Sequence, residues 1–300
     1  MKRVRALPVV PERFPAGFRT MLRDLLARGP KLRTGRTEQR RAQSRALAQS
    51  GTFVGHRPYV CGDDLRRIDW AACARTGELF VKLLEEEDRR TLTILLDLSA
   101  SLLAGTPPRR LAALRLAAVL GGLALRRLDG LTIVAPGAGR AEAATFAGAG
   151  DLDELLRHLD ALPVADVAPD AAIATFARRG VAGRIHWISD FAEPRAFEVP
   201  LAALRRRGAD VVGWLPTMPE DHGAPRRGYV EVIDPENGAS LAVPVDDELA
   251  AAMQRELELL ARRQARLFAQ TGCPLVRWAS PEATDFRAAV WQDAIGWGLR

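Results

Sequence analysis

TLTILLDLSAS, residues 91–101, is an apolar run that ends on an acid and then alternates with hydroxyls. Residues 91–97 show no polar alternation before Asp97, the pattern of a strand covered on both faces by helices. Downstream, residues 109–128 have the pattern of a long amphipathic helix, 131–135 of a second strand, and ATFAG of a short edge strand. Helical patterns at 151–161 and 170–179 lead to GRIHWISDF (183–191), a helix over PLAALRRRG, and the strand ADVVGWLP (209–216). Two extended runs flank Pro235-Glu236-Asn237-Gly238 and predict a β-hairpin inserted at 228–246. A long helix from Asp246 and a closing strand CPLVRWAS complete the chain's repeated strand–helix order. That order predicts an α/β fold with a doubly wound, mostly parallel sheet and right-handed crossovers.

Upstream the texture differs. PAGFRTMLRDLLAR (15–28) spaces Phe18, Leu22, Leu25 and Leu26 for an amphipathic helix that docks on the core, ended by Gly29-Pro30. GTFVGHRPYV is expected to be extended, DDLRRIDWAACAR helical with Asp63 or Asp64 as its cap, and LFVKLLEEED a strand running into a charged turn. Glu85, Glu86 and Glu87 fit a solvated turn better than a ligand set. The expected division is a basic arm over 1–50, an extension over 51–90 packing on the main domain, and the main domain over 91–300.

Charge is concentrated at the start. Residues 1–50 hold thirteen Lys and Arg against three acids, a net +10, so the other 250 residues carry −4 of the chain's +6. Such an arm can meet nucleic acid or another acidic surface, but no aromatic residues interleave with its charges as a stacking platform needs. A solvated Arg-rich helix is therefore the expectation, with nucleic-acid binding as its competitor. No apolar run approaches the roughly 18 residues that span a bilayer, and MKRVRALPVVPERF lacks a signal-peptide core, so a cytoplasmic location is the expectation. Cys61, Cys73 and Cys273 lack the spacing of a disulfide framework or zinc site and are expected as buried reduced thiols.

Asp97 and Asp190 each end an apolar strand, 93 residues apart. In open parallel sheets, ligands bind beyond the carboxyl ends of the strands where strand order reverses. Asp97, Ser99 and Ser101 can turn their oxygens the same way, and with Asp190 they offer a hard, low-charge donor set suited to Mg²⁺ or Mn²⁺. Asp97 and Asp190 are accordingly expected on neighbouring strands. The ligand loop is expected to contribute little to the core.

DLSAS before a long helix, with ISDF later, resembles the metal-ion-dependent adhesion site of von Willebrand factor A domains. The block Arg57-Pro-Tyr59-Val-Cys-Gly62-Asp63-Asp64-Leu-Arg66-Arg-Ile-Asp69-Trp70, with Arg75 beyond it, resembles the family known as domain of unknown function 58. The likeness covers about residues 50 to 280. It implies a von Willebrand factor A-like fold and a MoxR-associated adaptor that couples a MoxR-type AAA+ ATPase to a client protein. Cys61 stands where that family commonly has proline, and Leu102 where it commonly has methionine. In its second loop the family has Thr then Asp. Here VAPDAAIATF puts Pro169 in the threonine position and leaves Asp170, so the threonine hydroxyl ligand is missing and the expected Mg²⁺ or Mn²⁺ site rests on Asp97, Ser99, Ser101 and Asp190. Arg66, Asp69 and Trp70 are expected to tie the block to the main domain by an ion pair and an apolar anchor.

No nucleophile, base and orienter set is evident, so a protein-binding adaptor is the first expectation. A metal-dependent phosphohydrolase or nuclease, using the same two carboxylates and the basic arm, is the alternative.

Overall fold

The strand Thr91–Leu96 (β3, counting along the chain) lies inside a six-stranded sheet, hydrogen-bonded to Gly130–Pro136 (β4) on one side and Arg184–Ile188 (β6) on the other. Beyond β6 come Asp210–Thr217 (β7) and Leu275–Ala279 (β10), all parallel. Ala141–Phe146 (β5) is an antiparallel edge on β4. The order is therefore β10-β7-β6-β3-β4-β5. The chain moves from β3 out to β5, then returns across β3 to lay down β6, so strand order reverses between β3 and β6.

The computed structural model describes residues 12–28, 52–60, 68–85, 91–105, 108–127, 130–136, 141–163, 183–218, 227–234 and 239–279. It divides into two units, Met1–Arg33 with Arg90–Arg300, and Thr34–Arg89. The helix expected at 170–179 lies outside the described residues. No helix among those described is long and apolar enough to cross a membrane.

Alternation along β3 feeds two cores. Leu92, Ile94 and Leu96 join the cluster on one face with helices Ala16–Arg28 (α1), Arg109–Arg127 (α3) and Leu152–Ala161 (α4). Leu95 joins the other, with Pro194–Arg206 (α5) and Asp247–Thr271 (α6). Helices on both faces make this a mixed α/β layer structure around a mostly parallel sheet, compatible with a doubly wound fold.

Of the arm expected over 1–50, residues 12–28 are described, and the helix expected over 15–28 docks on the core. Phe14, Phe18, Leu22, Leu25 and Leu26 are buried in the first core, and the arginines beside them are used within the unit. Arg13 donates to the carbonyls of Leu159, Asp160 and Leu162 at the end of α4, where a helix leaves its last carbonyls without internal partners. The buried Arg110 donates to Leu162 as well, and burial, with Arg13 nearby, lowers its pKa to about 10. Arg23 pairs with Asp153 at 2.9 Å.

The hairpin forms as expected from Gly228–Ile233 (β8) and Ser240–Val245 (β9). In the second unit, Thr52–Pro58 (β1) pairs antiparallel with Phe80–Glu85 (β2). The short helix Trp70–Thr76 (α2) is capped by Asp69, whose Oδ1 accepts from the backbone N–H groups of Ala71 and Ala72. This corrects the expected cap. Ile68 is held extended in a bridge to Val81, so α2 cannot begin before it, and a cap must immediately precede the first turn. Asp63 and Asp64 lie outside the described residues.

Gly213 in β7 explains how α6 seats on the sheet. A Cβ built there would stand 2.2 Å from Cε1 of Phe268, so only the bare backbone admits that ring. Phe268 is buried and also packs edge-on against Phe191, with ring centroids 4.9 Å apart, which limits its freedom to move. Gly213→Ala should therefore cost about 2–3 kcal/mol in urea unfolding, through overpacking. An unchanged midpoint would show that the ring can step aside.

Candidate metal centre

The strand-order reversal puts the ends of β3 and β6 side by side, with Leu96 opposite Ile188. The backbone N–H of Asp97 continues the ladder by donating to the Ile188 carbonyl at 2.9 Å. Asp97 and Asp190 thus leave adjacent strands at the carboxyl edge of the sheet, and both are buried, at 3% and 8% exposure.

Donors hold the Asp97 carboxylate from two sides. Its Oδ1 accepts from the backbone N–H of Ser99 at 2.8 Å, and its Oδ2 accepts from the Ser189 hydroxyl at 2.7 Å. Ser189 is fully buried, and its oxygen in turn accepts from the Phe191 N–H at 3.1 Å. The hydroxyls of Ser99 and Ser101 lie 2.9 Å apart, and both residues are half-buried. Asp190 turns back on its own loop, where Oδ1 accepts from the Ala192 N–H at 3.1 Å.

The alternation of this loop has a structural side as well. Leu98 and Leu102, which interleave with Asp97, Ser99 and Ser101, are fully buried. The loop therefore contributes more to the core than expected, because the backbone that turns oxygens one way turns leucines the other.

Burial raises the Asp97 pKa above the ordinary carboxylate range, the Ser189 and Ser99 donors oppose that rise, and the negative charge of Asp190 adds to it. Two buried carboxylates with two hydroxyls beside them make a site whose charge a cation would relieve. All the donors are hard oxygens, so the residues fit Mg²⁺ or Mn²⁺, with Asp97, Asp190, Ser99 and Ser101 to hold it. Among the described residues, no group of three or more His, Cys, Asp or Glu is placed to bind a metal ion, so the hydroxyls are an essential part of this set. Pro169 and Asp170 lie outside the described residues.

The described family-motif residues belong to the second unit. Gly62, Asp63, Asp64, Arg66 and Cys61 lie outside the described residues. Arg57 donates to the Pro58 carbonyl, and the Tyr59 N–H donates to the Leu79 carbonyl. Asp69 caps α2 and accepts from His56 Nε2 at 2.7 Å. Trp70 is 67% exposed, and Arg75 sits in the last turn of α2. Cys73 is half-buried and Cys273 buried, both as free thiols.

Sequence reasoning passed over Ser189, although it is the side chain that joins Asp97 to the neighbouring strand. A hydroxyl just past the end of a strand was its signal, and only the β3–β6 pairing gives that signal meaning. Phe191 was missed too; its φ of 47° is the single positive value at a non-glycine among the described residues.

Residues 55–265 match the family model described as protein of unknown function DUF58. The uncharacterised proteins Rv1480 of Mycobacterium tuberculosis and Mb1516 of Mycobacterium bovis are each 31% identical to it over 233 residues, covering 73% of this chain and 72% of theirs. Among solved structures, the conserved hypothetical protein BatB of Bacteroides thetaiotaomicron is 20% identical at a TM-score of 0.41, covering 70% of this chain and 99% of that one. An aerotolerance-related membrane protein of Bacteroides fragilis is also 20% identical, at a TM-score of 0.40, over 68% of this chain and 97% of that one. Likeness of that degree leaves the fold to rest on this chain's own topology.

Two outcomes test the electrostatics. A raised folded pKa means the folded state keeps a proton on Asp97 over a pH range where the unfolded chain has lost it. Stability from this group is then lost as pH rises through the raised value. With chelator present, Asp97→Asn should melt above wild type at neutral pH and show a flatter pH dependence. A lower melting temperature at every pH would mean the Ser189 and Ser99 donors already compensate the burial. Ser189→Ala removes the donor to Asp97 and the acceptor for Phe191 together, and should cost about 1–3 kcal/mol in chemical unfolding.

Proposed function

The chain belongs to the protein family of unknown function DUF58, and on that premise we propose that it is a non-enzymatic adaptor of von Willebrand factor A-like type, which binds a protein partner through a metal at the β3–β6 edge. The observation that carries this reading is the donor set itself. Two buried carboxylates leave adjacent strands, and the loop that begins at one of them carries a pair of half-buried hydroxyls. A bound Mg²⁺ or Mn²⁺ would supply a Lewis-acidic point that accepts a carboxylate from a partner. The chain's own part is to hold the oxygens: Ser189 fixes Asp97, the Asp97–Ser99 turn orients the hydroxyl pair, and Leu98 and Leu102 anchor the loop.

The partner implied by the family resemblance is a MoxR-type AAA+ ATPase, with the chain coupling it to a client during assembly or maturation of a protein complex. Geometry also bears on the alternative. Asp97 has both carboxylate oxygens engaged by donors within its own loop and neighbouring strand, an arrangement that holds charge in place better than it moves protons.

Titration calorimetry should show Mg²⁺ or Mn²⁺ binding to wild type and none to Asp97→Ala; equal binding by both would remove the site. With a purified MoxR-type ATPase, Asp97→Ala or chelator should abolish complex formation while circular dichroism stays that of the folded protein. Metal-dependent hydrolysis of a phosphoester, lost in Asp97→Ala, would sink the adaptor reading in favour of a phosphohydrolase or nuclease.

A further inference from the structure

Asp190 and Phe191 form a turn that their own sequence does not favour. Phe191 adopts φ 47°, a left-handed conformation that costs a non-glycine residue energy and persists only where its surroundings enforce it. One helix, α6, reaches both its backbone and its ring. Gln264 of α6 is buried at 4% exposure, and its Nε2 donates to the carbonyls of both Asp190, at 2.9 Å, and Phe191, at 3.3 Å. One turn along, Phe268 packs edge-on against the Phe191 ring, which also meets Trp187 and Phe197. The turn is thus held by an amide on its backbone and a ring on its side chain, both from α6.

A glutamine is a costly choice for that position. It stands on the buried face of α6 beside Leu267 and Phe268, where a leucine or methionine would pack without burying an amide. What the amide provides is a pair of donors for two carbonyls beyond the end of the β6 ladder. We propose that Gln264 is a positioning residue for the metal centre: it fixes the left-handed Asp190–Phe191 turn and so keeps the Asp190 carboxylate beside Asp97. The same turn brings the Phe191 N–H to Ser189, so the hold reaches Asp97 through the Ser189 hydroxyl as well. This inference rests on reading Asp97 and Asp190 as cation ligands.

The test is Mn²⁺ affinity, measured by electron paramagnetic resonance on the full chain. Gln264→Met keeps the volume and removes the donors. It should weaken Mn²⁺ by about tenfold or more, the effect usual for groups that orient metal ligands. Gln264→Asn keeps an amide one methylene too short to reach both carbonyls and should weaken it in the same direction. Leu159→Ala, cut into the core on the other face of the sheet, controls for a merely structural effect. It should lower the melting temperature while leaving Mn²⁺ affinity within about twofold of wild type. Wild-type affinity in both Gln264 variants overturns the positioning role and leaves the metal site standing, as does a loss in Leu159→Ala equal to theirs. No Mn²⁺ binding by wild type itself overturns the metal site and this inference together.

Discussion

An ionised carboxylate taken out of water costs several kcal/mol unless donors reach it, and the meeting of β3 and β6 is organised around meeting that demand for Asp97. One donor is local, the Ser99 N–H two residues on. The other, the Ser189 hydroxyl, belongs to the neighbouring strand and is oriented because its oxygen also accepts from Phe191. The bond therefore does two things: it lowers the cost of burying Asp97, and it ties together two strands whose sequence segments are 93 residues apart. Strand-order reversal brings the two strand ends together, and this hydroxyl links them.

The face opposite α3 supplies the rigidity. Gly213 lets Phe268 lie on the sheet, Phe268 meets Phe191, and Gln264 on the same helix holds the backbone of Asp190 and Phe191. Each contact limits the freedom of the next, so a conformation unfavourable for phenylalanine becomes the only one available. Aromatic packing and a buried amide act on the same two residues from different directions. That convergence distinguishes the turn from an ordinary surface loop, whose conformation rests on local hydrogen bonds alone.

Much of this was legible in the sequence because it follows from period and position. An apolar run too long to be half-exposed announced a covered strand, and acids at two strand ends announced a crevice. The placement of Asp97 and Asp190 on adjacent strands follows from the same reversal rule. What could not be read depends on contacts between distant segments. Ser189 was one more hydroxyl past a strand end until its partner strand was known, and Gln264 one polar residue in the stripe that includes Leu267. Asp69 was hidden by the assumption that its helix began earlier, before the bridge at Ile68 was visible. Within residues 12–28 the apolar spacing of Phe18, Leu22, Leu25 and Leu26 announced a docked helix, but composition could not show that Arg13, Arg19 and Arg23 bond carbonyls and a carboxylate of the same unit.

The D-x-S-x-S loop shows why stability and ligand chemistry can be separated in this unit. Its oxygen-bearing residues and its leucines alternate, so Leu98 and Leu102 fix the backbone whatever stands at 97, 99 and 101. A change confined to the oxygens should alter charge and coordination while the leucines keep the loop in place. Ser189 is the exception, since it is both inside the core and bonded to the carboxylate. The same holds across the sheet, where Gln264 lies on the buried face of α6 yet acts on the loop. Polar groups at these two interior positions, rather than the half-buried hydroxyls of Ser99 and Ser101, are where the fold and the site constrain one another.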